Sequence, residues 1–140
     1  NEWYRENILK MTPQDILPGV ERFLSELKKA NYKVAIGSSS KNAGTILDRI
    51  GYADFFDSIV DGTKITYSKP DPEVFLKAAD ELKVKYENCV VFEDAHAGIQ
   101  AAQKANMKTI GVGDKKVLYL ADVVVPDLSN INISIFDKLY

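Results

Sequence analysis

Apolar positions along this chain switch repeatedly between two spacings. After Val20, Phe23, Leu24 and Leu27 recur at three, four and seven residues, which is the spacing of one buried helix face and predicts a helix over about 19–30. The next apolar run, Val34, Ala35, Ile36 and Gly37, shows no alternation and stops at three serines, as a strand covered on both faces does. Ala43, Ile46, Leu47 and Ile50 return to the helical spacing, and Gly51 ends it because glycine tolerates positive φ. Further on, Phe75, Ala78, Ala79 and Leu82 mark a helix, and Cys89 to Phe92 mark a strand that ends at Glu93. Ala95, Ile99, Ala102 and Ala105 give the following helix a narrow face of mostly small residues, suited to close packing on a sheet. Thr109–Val112 and Val123–Val125 supply two more strands, the second stopped by Pro126. Ile59–Val60 is a short apolar segment with Asp61, Gly62 and Thr63 as a polar turn behind it, residues 1–11 read as a short helix, and residues 12–18 read as a linker. Alternating strands and helices predict an α/β fold with a mainly parallel sheet, helices on its faces and right-handed crossovers.

Composition narrows the setting without choosing a chemistry. The 140 residues, 46% apolar, suit one domain with an ordinary core. A net charge of -2 without a basic run gives no electrostatic footprint for nucleic acid or a membrane surface, so small ligands are the expected partners. Cys89 is the single cysteine and has no partner for an intramolecular disulfide, and no apolar stretch approaches the ~18 residues of a membrane span. The expectation is a cytoplasmic chain. Beginning at Asn1 rather than Met, it reads as part of a longer polypeptide.

Ligands of open α/β sheets gather beyond the carboxyl ends of the strands. Ser38, Ser40, Glu93 and Asp94 fall at such ends, and Lys69 stands before Pro70 in the loop between two units. Each has two readings. The serines serve as turn and helix-capping residues or as donors to phosphate oxygens; Asp94 caps the next helix or ligates a metal. Lys69 is a solvated loop cation or a compact positive charge on a phosphoryl group. Gly111, Val112 and Gly113 are no dinucleotide fingerprint, because Lys116 stands where the third glycine belongs. His96, the single histidine, makes neither a metal site nor a triad and reads as a loop or helix-start residue beside the site; Cys89 reads as packing.

Taken together, Ser38, Lys69 within Ser68-Lys69-Pro70-Asp71-Pro72, and Glu93-Asp94-Ala95-His96-Ala97-Gly98 resemble the second, third and fourth motifs of the haloacid dehalogenase superfamily, most closely its β-phosphoglucomutase branch. The likeness runs over nearly all of residues 12–140, and Asp127-Leu128-Ser129 extends it toward the C-terminus. It implies a three-layer Rossmann-like core over 18–140, with 1–17 as the end of a helical cap and its hinge. It also implies catalytic roles for Ser38 and Lys69, phosphate binding by Ser38, Ser40, Lys41, Asn42 and Lys69, and Mg2+ held by Glu93 and Asp94. The implied reaction is phosphoryl transfer on a small sugar phosphate, interconverting β-glucose 1-phosphate and glucose 6-phosphate through an aspartyl-phosphate.

One part of that pattern is missing. The family's nucleophile sits in an Asp-x-Asp-Gly-Thr sequence ahead of the serine motif, whereas here Ile59 stands two positions before Asp61-Gly62-Thr63, which also follows the serines. The resemblance places the nucleophile strand centrally, between the strands ending at Ser38 and Glu93, so its absence from this chain predicts two facing unpaired edges. The chain alone is therefore expected to be inactive, and an additional N-terminal segment is expected to complete the sheet of a monomer. A sugar-phosphate phosphatase of the same superfamily, and a noncatalytic α/β domain that keeps phosphate contacts, are the alternatives.

Overall fold

In the computed structural model, residues 19–49, 51 and 54–140 are described, and helices and strands alternate through them. The expected helix over 1–11, the linker over 12–18 and the boundary between 17 and 18 lie outside the described residues. Helix α1 spans Val20–Lys29, strand β1 Ala35–Gly37, helix α2 Ala43–Arg49 and strand β2 Ser58–Val60. Helix α3 spans Glu73–Leu82, strand β3 Val90–Glu93, helix α4 His96–Lys104, strand β4 Lys108–Val112 and strand β5 Val123–Val125. Two 3-10 helices, Tyr86–Asn88 and Ile133–Lys138, complete the order.

The expected elements are present with three corrections. Ser58–Val60 is a strand rather than a bare apolar segment, and it lies parallel to β1 with Ala35 opposite Ser58 and Gly37 opposite Val60. Helix α4 has Ala95 at its N-cap, so Asp94 does not take that position. The turn of helix over Ile133–Lys138, where the sequence shows no sustained period, buries Ile135 against Ile110 of β4. The stop at Gly51 is as expected, with φ at 82°.

Pairing divides the strands into two groups. Among the described residues strand β1 pairs only with β2, while β3, β4 and β5 form a second parallel sheet in that order. On one face α3 packs on β1 and β2, α4 packs on β3 and β4, and the two helices touch. Their small or branched residues (Val74, Ala78, Ala101 and Ala102) meet Val60 and Val91 there. On the other face Phe23 of α1 stands edge-on to Phe92 of β3, 5.4 Å between ring centres, and Phe136 closes over both. Strand alternation explains the division: Val91 points to the α3–α4 side, and Val90 and Phe92 point to the other.

Between β1 and β3 runs a cavity of about 440 Å3, lined by Ala35, Ile36 and Gly37 on one side and by Val90, Val91 and Phe92 on the other. Among the described residues no strand occupies it, and the facing edges of β1 and β3 have no ladder partner. Phe23 and Phe75 close the slot from the two helical layers, leaving an apolar channel between the two edges.

Candidate active site

The three sequence motifs meet at the carboxyl end of this slot. Strand β1 delivers Ser38, which is fully buried and donates its backbone N–H to Val60 O at 2.9 Å, extending the β1–β2 ladder by one residue. Its hydroxyl accepts from Ser40 N at 3.1 Å, and the Ser40 hydroxyl accepts from Asn42 N at 3.2 Å. Two successive serine turns therefore shape the loop, and they leave Lys41 and Asn42 exposed. Ser39, which the sequence did not single out, has a buried hydroxyl with no hydrogen-bond partner among the described residues. A serine between two serines gives no sequence signal of that kind.

Lys69 is not a solvated loop cation. Its side chain is 3% exposed, its ammonium donates to Glu93 Oε2 at 2.9 Å and Gly37 O at 3.2 Å, and it lies 4.9 Å from the centre of the Phe75 ring. One ammonium thus ties the end of β1 to the end of β3 across the mouth of the slot. The loop that carries it is pinned by Glu73, whose Oε1 accepts from Thr66 N and Tyr67 N, both at 2.8 Å. Those backbone donors, Tyr67 foremost, hold the Glu73 carboxyl below its ordinary range. Asp71 Oδ1 accepts from Glu73 N at 2.9 Å, and the Lys69–Pro70 peptide is cis.

Glu93 is fully buried, and its second oxygen accepts from Asp94 N at 3.1 Å and Ala95 N at 3.4 Å. Its carboxylate rests on the first turn of α4, and only glycine at position 98 admits it. A Cβ there would lie 2.1 Å from Glu93 Cδ and 2.2 Å from Oε2. Burying such a pair costs desolvation, which these extra hydrogen bonds and the Phe75 ring offset. Asp94 follows, half-buried, at the strand's end. His96 opens α4 beside it and stacks on exposed Tyr119 at 5.5 Å, so the structure places it where the sequence reading did.

Glu93 and Asp94 are hard oxygen donors of the kind Mg2+ takes. Among the described residues, however, no group of three or more His, Cys, Asp or Glu side chains comes together to hold a metal. Glu93 is already engaged with Lys69 and two backbone N–H groups. Asp94, next along the chain, is the second hard oxygen donor at the end of β3.

Hydroxyl and ammonium donors at the end of one half-sheet thus stand against carboxylates at the end of the other, where ligands of open α/β sheets gather. Over residues 2–112 the chain matches haloacid dehalogenase-like hydrolases, and it belongs to that family. It is 43% identical over 138 residues to the β-phosphoglucomutase of Bacillus subtilis, an alignment that covers 99% of this chain and 61% of that protein. The crystal structure of β-phosphoglucomutase from Clostridium difficile superposes with a TM-score of 0.87 at 41% identity, over 97% of this chain and 61% of that one. A phosphorylated carbohydrates phosphatase of Thermotoga maritima is 33% identical over 114 residues, 76% of this chain and 53% of that protein. The chain thus spans little more than half of these relatives' length. No helix among the described residues is long and apolar enough to cross a membrane.

Proposed function

We propose that this chain is the phosphate and metal side of a sugar-phosphate mutase that interconverts β-glucose 1-phosphate and glucose 6-phosphate. The observation that carries the reading is the placement of Lys69: its buried ammonium joins the Ser38 loop to the Glu93–Asp94 strand end at the mouth of an open slot. A strand from a segment outside the described residues fills that slot and brings the aspartate nucleophile to the same mouth.

In the complete protein the phosphorylated aspartate passes its phosphoryl group to the 6-hydroxyl of β-glucose 1-phosphate, giving a bisphosphate. The free carboxylate then takes back the phosphoryl group at carbon 1, and glucose 6-phosphate leaves. Ser38 donates to the oxygens of the transferring group, and Lys69 balances their charge. Ser40, Lys41 and Asn42 hold the phosphate at the far end of the sugar. Asp94, with Glu93 behind it, takes part in holding Mg2+, which when bound neutralises further phosphoryl charge. Without the strand the chain has no covalent acceptor and no turnover.

The test uses the complete polypeptide that carries this chain, given β-glucose 1-phosphate, a trace of the bisphosphate and Mg2+. Glucose 6-phosphate formed without stoichiometric inorganic phosphate is the expected result. Inorganic phosphate as the main product would instead support a phosphatase, the second reading, favoured by the likeness to the Thermotoga protein. Absence of both products would leave a binding domain. Asp94→Asn is expected to weaken Mg2+ binding, read by calorimetry, while the fold is kept.

A further inference from the structure

We propose that Asp61, Gly62 and Thr63 form a template that sets the position of the far-phosphate loop, with Gly62 as a positioning residue for the second phosphate of a doubly phosphorylated sugar. This rests on the function proposed above. The turn has no part in that reaction scheme, and its sequence only mimics half of a nucleophile motif. Its place follows from β2: because β1 and β2 are parallel with Gly37 opposite Val60, the loops after them leave the sheet side by side.

Two backbone hydrogen bonds join these loops, Ser38 N to Val60 O at 2.9 Å and Gly62 N to Ser40 O at 2.8 Å. The second fixes the carbonyl of the residue just before Lys41. A Cβ at position 62 would stand 2.4 Å from Ser39 O and 3.1 Å from Lys41 N, so a side chain there must push the serine loop away. The obstructing atom is a backbone carbonyl, which has no rotamer by which to yield. The turn holds its own shape, since Asp61 Oδ1 accepts from Thr63 N at 2.9 Å and from the Thr63 hydroxyl, and Asp61 O accepts from Lys64 N at 3.1 Å. Lys64 Nζ then donates to Ile59 O at 2.7 Å, bracing the turn against β2.

The consequence falls on one end of the ligand. Ser38 is held by the ladder itself, whereas Ser40, Lys41 and Asn42 lie beyond the sheet, where Gly62 N ties the two serine turns to the loop after β2. A displaced loop thus weakens the grip on a remote phosphate and leaves the reacting end in place. A shift of a few tenths of an ångström at Lys41 N suffices to misalign donors whose bonds span a narrow range of distance.

The experiment compares the complete polypeptide with its Gly62→Ala and Asp61→Ala variants, titrating each by calorimetry with glucose 1,6-bisphosphate and with inorganic phosphate, and following p-nitrophenyl phosphate hydrolysis. Gly62→Ala is expected to weaken bisphosphate binding about tenfold, with phosphate binding and p-nitrophenyl phosphate turnover within about twofold of the parent. Asp61→Ala loosens the turn without adding bulk and is expected to act in the same direction by about threefold, so the test survives a Gly62→Ala chain that fails to fold. Equal losses for all three ligands, or no loss for the bisphosphate, would overturn the proposal. A parent that binds the bisphosphate but forms no glucose 6-phosphate from β-glucose 1-phosphate would sink the mutase reading and leave the binding comparison to decide the role of Gly62.

Discussion

Replacing Gly98 by alanine adds one methyl group where Glu93 already sits. The new Cβ would lie 2.1 Å from Glu93 Cδ and 2.2 Å from its Cγ and Oε2, far inside van der Waals contact. Helix propensity alone argues for stabilisation by about 0.8–1 kcal/mol. Overpacking opposes this with about 1–3 kcal/mol, and driving the carboxylate off Lys69 raises the cost toward the ~3–5 kcal/mol of a broken buried pair. The pair has nowhere else to go, since its side chains are 3% and 0% exposed. The net expectation is destabilisation by at least about 2 kcal/mol, measured as a lowered midpoint in urea followed by circular dichroism. Gly44→Ala in α2 is the control, because the nearest atom to its Cβ is Asp61 Oδ2 at an ordinary 3.6 Å. That variant is expected to gain about 0.5–1 kcal/mol. In a Glu93→Ala background the Gly98→Ala penalty should largely vanish, as coupling through a shared contact requires. A Gly98→Ala protein as stable as the parent would refute the placement of Glu93 on the helix backbone, and with it the bridging position of Lys69.

Lys69→Met alone should cost about 3–5 kcal/mol by stranding the Glu93 charge, whereas adding Glu93→Gln should restore a good part of it; urea midpoints of the single and double variants decide. At Asp57, the Val34 N–H and then Lys28 hold the carboxyl below its ordinary 3.8. A lowered folded-state value means that its stabilisation is complete above 3.8 and is lost as pH falls through that lowered value, so Asp57→Asn should be less stable than the parent at neutral pH and converge with it in stronger acid. Cys89 lines the slot, and burial pushes its thiol up, so alkylation near neutral pH should be several-fold slower than for a free thiol. Rapid alkylation would contradict that placement.

Periodicity located the long helices and the strand ends, and hence the order in which Ser38, Lys69 and Glu93–Asp94 approach the site. It missed β2 because only Ile59 and Val60 of Ser58–Val60 are apolar, and a parallel neighbour rather than its own pattern makes it a strand. The C-terminal 3-10 helix was hidden for a related reason: its burial comes from contact with β4. Lys69 before a proline reads as a surface cation, and what buries it is Glu93, many residues away in sequence. The N-cap falls at Ala95, and Glu93, just ahead of it, accepts from the N–H groups of Asp94 and Ala95. Gly62 was legible only as part of a polar turn and Gly98 only as part of the Glu93-to-Gly98 run; that neither admits a side chain was hidden, since the excluding atoms belong to other segments or to a residue folded back on its own helix.

The slot also bears on the order of folding. Its walls are Ala35–Gly37 and Val90–Phe92, with α2, β2 and α3 lying between them along the chain. A central strand entering there, as proposed above, would find neither wall until both units had formed, and would join walls that are themselves far apart in sequence. Such topology is slow to close, because loop entropy is lost before the pairing is gained. The binding of that strand should therefore govern the rate at which the domain reaches its final state, and the two half-sheets should gather into compact, helix-covered units well before it docks.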